Sequence, residues 1–371
     1  MAQNIYYSNM VVNNSVYKSF RIPVIVKLNN NDILAFAEAR KNSPKDYGDI
    51  SIVLRRSVDN GKTWSTPTII CSIPKSTLGN PTPIIDKTFG SSTKSSIIHL
   101  LMTWNKINAS EEDIINGKSI RLPYYSKSID NGFTWSTPIC LDQCTNKDWC
   151  WYATGPCVGL QIQNGKYKNR LIVPCNHSLN LSKNKKLTKD TVHRAHVIYS
   201  DDDGNTWHIG NSLPKRTNES CIVEMNDGTL LINSRLQGME YRSFAISNDG
   251  GITWNNFHIE YKLKTAICQG SILLIDNMLL MSCITEAKRA NLVIYASLDK
   301  TKHCNNYNNK NCVYSTYSMY SVYSGSSSYS NMIQIDDEYI GIIYEKNRYT
   351  NIILEIIPIK EIIKCLLITI K

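Results

Sequence analysis

One octapeptide pattern, Ser-x-Asp-x-Gly-x-Thr-Trp, occurs four times in this chain, at residues 57–64, 128–135, 200–207 and 247–254. Such fidelity marks a repeat architecture in which each copy belongs to one supersecondary unit. The copies start 71, 72 and 47 residues apart, and strand-like runs at 50–56, 197–199 and 244–246 lead into three of them. The residue types predict a hairpin turn. Asp folds its carboxylate onto backbone N–H groups, Gly supplies a positive φ, and Trp packs into the next sheet. Calcium or sugar binding by these Asp residues is the competing reading. Identical turns spread around a fold cannot all face one active site, so the turns are read as structural.

Between the turns lie short β-rich runs (96–103, 170–173, 230–233, 292–296, 339–344 and 351–357) with few segments of helical period. Repeated antiparallel units arranged about a centre hide their strand edges, which predicts an all-β chain: a six-bladed β-propeller with four-stranded antiparallel blades. Six blades would take about 62 residues each and fill a single domain, residues 1–371. The stretch 360–371 is expected to form a terminal helix or strand against the last blade.

Composition excludes several classes. With 42% hydrophobic and 19% charged residues the chain is neither disordered nor fibrous. No apolar run reaches the roughly 18–20 residues of a membrane-spanning helix; the strongest, 271–284, is broken by Asp276 and Asn277. No secretory leader is visible in residues 1–14, which leans towards the cytoplasm and leaves secretion or the lysosome open. The net charge of +10 is scattered, and its densest group, 183–189, reads as a solvated loop, so nucleic acid is not an expected partner. Cys140, Cys144, Cys150 and Cys157 form one cysteine group and Cys304 and Cys312 another, but their spacings match no paired zinc pattern. Cys175 and His177 alone make no metal site. Buried free thiols in a reducing compartment are expected, while Asn-x-Ser sequons at Asn13, Asn108 and Asn176 point the other way.

The repeated turns resemble the Asp boxes of the sialidase (neuraminidase) family, and the resemblance extends beyond them. Phe20-Arg21-Ile22-Pro23 is similar to the family's Phe/Tyr-Arg-Ile-Pro signature, followed by 35–40, Lys45-Asp46 and 53–56 at the family's spacing. Ala153-Thr154-Gly155-Pro156, Asn218-Glu219-Ser220, Asn233-Ser234-Arg235, 268–271, 288–292 and Tyr329-Ser330-Asn331-Met332 follow in the family's order, so the resemblance covers residues 17 to about 345.

It implies a set of roles. Sialic acid carries a carboxylate on its anomeric carbon, and Arg21, Arg235 and Arg289 would grip it, because guanidinium groups make paired, charge-assisted bonds to carboxylates and keep their proton. Arg242, also just before an Asp box, competes for the second place. An anionic nucleophile would be repelled by that carboxylate, whereas a phenol is neutral until deprotonated. Tyr329 takes that role by its context, in a stretch that also holds Tyr317, Tyr320 and Tyr323, with Glu219 as its base. Asp46 is the implied acid/base, with Asp49 as the near alternative. Glu345 would brace the first arginine, and Glu38, Arg40, Asn80 and Gln269 would contact substrate.

The expected activity is therefore that of a retaining exo-α-sialidase acting on terminal α-linked sialic acids of glycoproteins, glycolipids or oligosaccharides, with no metal or cofactor. A trans-sialidase, in which an acceptor sugar replaces water, and a silent glycan-binding propeller are the alternatives. The second has no use for a Tyr–Glu pair.

Overall fold

The computed structural model describes residues 2–88, 95–183, 186–298 and 317–370; Cys304, Cys312 and part of the lysine-rich stretch lie outside them. Strands dominate, and their pairings group into six successive antiparallel units. The first is Ser19–Lys27, Ile33–Arg40, Ile50–Ser57 and Thr68–Cys71. The second is Ser76–Asp86, Ile97–Lys106, Arg121–Ser128 and Ile139–Cys140. In the third, Trp149–Thr154 and Leu160–Gln161 share the inner edge of Leu171–Leu179, followed by His193–Ser200 and His208–Ile209. The fourth is Thr217–Glu224, Leu230–Leu236, Tyr241–Ser247 and Asn255–Lys264.

The long strand Ser318–Gln334 serves two units. Its first half is the outer strand of the fifth, after Ser271–Ile275, Met278–Glu286 and Ala290–Leu298. Its second half is the inner strand of the sixth, before Tyr339–Lys346 and Asn351–Pro358. The outermost place in that last unit is taken by the N-terminal strand Ala2–Tyr7, paired with Asn351–Pro358. First and last strands are thus hydrogen-bonded together, which completes the sixth unit. The innermost strands touch in turn, from the first unit round to Ser318–Gln334 and back to Ser19–Lys27, so the units close into a ring. This is the expected all-β propeller.

Packing explains why the strands read as they do. Ile33–Arg40 and Leu171–Val173 are buried on both faces because units stack on units, which produces runs such as Leu34-Ala35-Phe36-Ala37 in place of strict alternation. Each apolar cluster lies between neighbouring units: Ile25, Ala35 and Val53 of the first meet Ile343 and Leu354 of the sixth. The helix Ile359–Ile370 follows the last strand and buries Ile359, Ile362 and Leu366 against the fifth and sixth units, the expected terminal element.

The four repeats are turns between third and fourth strands, held as predicted. In the first, Asp59 accepts from Thr63 N (2.8 Å) and Thr63 Oγ1 (2.6 Å), and Ser57 Oγ accepts from Gly61 N (2.8 Å). The others repeat this pattern around Asp130, Asp202 and Asp249. Gly61, Gly132, Gly204 and Gly251 have φ between 81° and 89°, where a Cβ would be strained. One detail differs from expectation: each Trp packs against the preceding unit, not the next. Trp207 of the third unit lies with Ile84, Leu101 and Tyr125 of the second, and Trp135 of the second meets Phe36 of the first edge-on at 6.0 Å. The turn carries the chain back towards the sheet just completed.

The described cysteines are mostly buried. Asn176 is fully buried in a strand, so its sequon cannot carry a glycan in the folded chain, while Asn13 and Asn108 are exposed. Trp207 is only 3% exposed and its indole N–H donates to Gly204 O at 3.1 Å. Trp207→Ala is expected to destabilise the fold by about 3–5 kcal/mol, measured by denaturant unfolding. A loss under about 1 kcal/mol would mean that the turn tryptophans do not lock neighbouring units together.

Candidate active site

In an up-and-down unit, the third-to-fourth turns and the second-to-third connections lie at opposite ends. The Asp boxes occupy one end. Side chains from the starts of first strands and the ends of second strands converge at the other. Five of the six innermost strands carry a register shift there, between Arg21/Val24, Gly79/Thr82, Trp149/Trp151, Thr217/Ser220 and Ser327/Ser330. A bulge bends its strand and re-aims the side chains beside it. Arg21, Asn80, Trp151, Glu219 and Tyr329 all reach one central pocket of about 180 Å³ in this way.

Arg21 is held from below. Its Nε and Nη2 donate to the two oxygens of Glu345 at 2.7 and 3.1 Å, and Glu345 is wholly buried. Ile22 sits at φ 58°, an unfavourable value for a β-branched residue, and its N–H donates to Glu345 Oε1 at 2.9 Å. One carboxylate therefore fixes both the guanidinium and the strained backbone that presents it.

Beside it, Arg40 pairs with Glu38 (2.9 Å from Nε) and with Asp46 (2.8 Å from Nη1), while Asp46 is also 3.6 Å from Arg21. Surrounding protein pushes the Asp46 carboxyl up, but Arg40 and Arg21 together outweigh it and hold the group below the usual carboxylate range. Its side chain is 70% exposed, so it is an ionised carboxylate at the pocket mouth. Glu38 Oε1 accepts from Asn80 N at 2.7 Å, and Asn80 Oδ1 accepts from Arg121 Nη2 at 2.7 Å. Gly79 makes this packing possible, since a Cβ there would lie 2.6 Å from Glu38 Oε1.

Across the pocket, Tyr329 donates its hydroxyl proton to Glu219 Oε1, and Glu219 Oε2 accepts from Arg235 Nη1 at 2.6 Å. Burial and the Glu219 charge push the phenol well above its ordinary value against the pull of Arg235 and Arg289, so it is neutral at rest. Arg289 completes the group. Its partners are Tyr349 Oη at 3.2 Å, Ser328 Oγ at 3.4 Å and Ile267 O at 3.4 Å. No carboxylate lies within 4 Å of it among the described residues, which leaves its charge available to an anion.

Most of the residues singled out in the sequence meet here: Arg21, Glu38, Arg40, Asp46, Asn80, Glu219, Arg235, Arg289 and Tyr329 line the pocket, with Glu345 beneath Arg21. Gln269 does not. Its Nε2 donates to the carbonyls of Pro156, Gly270 and Ser330 at 3.0 Å each, and its Oε1 accepts from Ser330 N. It braces backbone, because its amide is spent before any ligand arrives. The competitors separate equally clearly. Arg242 is 1% exposed and bonds Asn233 and Cys268 O, a core arginine. Asp49 pairs with Lys41 at 3.8 Å, outside the lining. Tyr317 and Tyr323 bond Glu260 and Asn347, and Tyr320 packs with the cluster of the last two units.

Five contributors carried no motif: Glu111, Arg121, Trp151, Asn176 and Gln237. Glu111 opens the helix Glu111–Ile115, capped by Ser110, within a second-to-third connection and hence at the pocket end. Arg121 bonds Thr103, Asn105 and Asn80 and stacks on Trp151 at 4.5 Å. Asn176 has neither amide atom paired among the described residues. The available signal was positional: each lies near the start of a first or third strand, near the end of a second, or between a second and a third.

A family model described as a BNR repeat-like domain matches residues 31–342. The chain is 30% identical to a sialidase of Paraclostridium sordellii over 271 residues, 68% of this chain and 62% of that relative's length. It is 27% identical to an exo-alpha-sialidase of Aspergillus fumigatus over 365 residues, 90% of this chain and 80% of that relative. The fold superimposes on the intramolecular trans-sialidase of Ruminococcus gnavus with a TM-score of 0.78, at 20% identity, over 97% of this chain and 98% of that one.

The ion pairs generate a prediction. Arg40 exerts the largest attractive pull on Asp46, ahead of Arg21 and Arg121, so Arg40→Gln should move the Asp46 titration to higher pH. Carbon-13 NMR of labelled aspartate carboxyls reads the midpoint, and an unchanged value would show that Arg40 does not set this group's charge.

Proposed function

The chain belongs to the sialidase family, and we propose that it is a retaining exo-α-sialidase, removing terminal α-linked sialic acids from glycoconjugates. The observation that carries this reading is the Tyr329 phenol hydrogen-bonded to Glu219 and facing three arginines, of which Arg289 has no carboxylate partner among the described residues. Arg21, Arg235 and Arg289 bind the substrate carboxylate and so present its anomeric carbon to Tyr329. Glu219 takes the phenolic proton as the oxygen attacks, and the bond to the leaving oxygen breaks as Asp46 protonates it. Water, deprotonated by Asp46, then attacks the anomeric carbon as the bond to Tyr329 breaks and Glu219 returns the proton to the phenolate oxygen, with overall retention.

Asp46 starts this cycle ionised, and the substrate itself corrects that. A carboxylate arriving on Arg21 cancels part of the pull on Asp46 and adds a like charge nearby, both of which raise its affinity for a proton. Glycosidic cleavage should therefore fall as pH rises through the Asp46 pKa of the complex.

Tyr329→Phe removes the attacking oxygen and keeps the ring. Release of 4-methylumbelliferone from its N-acetylneuraminic acid glycoside should fall by about a thousandfold or more, with the melting curve preserved. Asp46→Ala should also fall, and least for this activated leaving group. Substantial turnover by Tyr329→Phe would sink the nucleophile assignment. Sialyllactose formed from excess lactose would turn the reading towards a trans-sialidase.

A further inference from the structure

The turn that joins Tyr339–Lys346 to Asn351–Pro358 is unlike its neighbours. Three consecutive residues, Asn347, Arg348 and Tyr349, have φ of 53°, 53° and 71°. Asn tolerates this region, but for Arg and Tyr it is strained, and such strain persists only where surroundings impose it. Here Asn347 N donates to Ser326 O at 2.9 Å and Arg348 N to Ser326 Oγ at 3.2 Å, tying the turn to the irregular middle of Ser318–Gln334. The consequence is the placement of Tyr349. Its ring centroid lies 3.8 Å from the Arg21 guanidinium carbon, and its hydroxyl accepts from Arg289 Nη1 at 3.2 Å.

We propose that Tyr349 is a positioning residue that holds Arg21 and Arg289 in register for the substrate carboxylate; this rests on the sialidase reading of the pocket. Three features support it. The Arg21 guanidinium has Tyr349 close against it, while the Tyr329 ring, which lines the pocket, is 5.5 Å away. Tyr349 thus backs the arginine without taking the place of a ligand. Second, a neutral hydroxyl orients Arg289 without neutralising it, where a carboxylate such as Glu345 under Arg21 would compete with the substrate. The other two partners of Arg289 are at 3.4 Å and fix it weakly. Third, a cavity of about 710 Å³ lies beside the pocket, lined by Lys288, Arg348, Ser326 and Ser328. Arg289 borders both spaces and Tyr349 borders the cavity. Without the ring, Arg289 gains room to swing towards that cavity, out of reach of the carboxylate, and Arg21 loses the face packed against its guanidinium.

The test uses the full chain and two ligands, 2-deoxy-2,3-didehydro-N-acetylneuraminic acid and its methyl ester, titrated by calorimetry. Wild type should prefer the acid. Tyr349→Phe keeps the stack and loses the hydroxyl, and should weaken the acid about tenfold while leaving the ester nearly unchanged. Tyr349→Ala loses the stack as well and should reduce the acid-to-ester preference further. In turnover of the 4-methylumbelliferyl glycoside, Tyr349→Phe should raise KM with kcat nearly constant, the pattern of lost uniform binding. An equal weakening of acid and ester would reveal a merely structural role and overturn the proposal. A tighter acid complex in Tyr349→Phe would also overturn it, since the hydroxyl would then be a competitor of the substrate. Should Tyr349→Ala fail to fold, Tyr349→Phe decides alone. Wild type that binds neither ligand contradicts the sialidase reading itself, whereas normal wild-type preference unchanged in both variants contradicts only the role of Tyr349.

Discussion

The pair between Arg21 and Glu345 joins the innermost strand of the first unit to the second strand of the last, 324 residues away in sequence. It is buried, bidentate and shared with the backbone N–H of a strained residue. Removing one side of a buried pair typically costs about 3–5 kcal/mol, because the other charge is left uncompensated. The same bond sets the position of Arg21, the first of the three arginines proposed to hold the substrate carboxylate. Closure of the ring and assembly of the site are therefore one event: until the last unit docks beside the first, Arg21 has no fixed direction.

The rest of the pocket follows from asymmetry in how charges are matched. Arg235 is paired with Glu219, Arg40 with Glu38 and Asp46, and Arg21 with Glu345, while Arg289 has only neutral partners. Paired arginines are held rigid, and the unpaired one supplies the attraction for an anion. The phenol of Tyr329 stays protonated because its burial and the adjacent carboxylate both oppose ionisation. A neutral phenol already hydrogen-bonded to a carboxylate fits the proposed role of nucleophile towards a substrate that brings its own negative charge, and Asp46 lies at the opening.

Much of this was legible in the sequence, and the limits are physical. The Asp boxes encode a turn with local hydrogen bonds, so their geometry could be read residue by residue. Arg21, Glu219, Arg235, Arg289 and Tyr329 lie within short motifs that resemble a known family, and the resemblance carried their roles. Gln269 lay in such a motif too, yet its amide is consumed by backbone, which no motif states. Arg121, Trp151 and Tyr349 gave no local signal because their significance arises from strands far apart in sequence meeting at one end of the ring. The pairing of Ala2–Tyr7 with the last unit is of the same kind: a six-residue strand with no partner nearby in the chain reads as an ordinary terminus. The direction in which the box tryptophans pack was missed because a turn motif does not say which neighbouring sheet it meets.

The proposed bond between Tyr329 and the anomeric carbon can be trapped chemically. A sialosyl fluoride with a second fluorine on the adjacent carbon reacts but releases slowly, since the added fluorine disfavours the oxocarbenium-like transition state of breakdown. Intact-mass measurement after brief incubation should show one fluorosialosyl adduct per chain, mapped by peptide sequencing to Tyr329. An adduct on Glu219 or Asp46, or none on protein that turns over ordinary sialosides, would contradict the account.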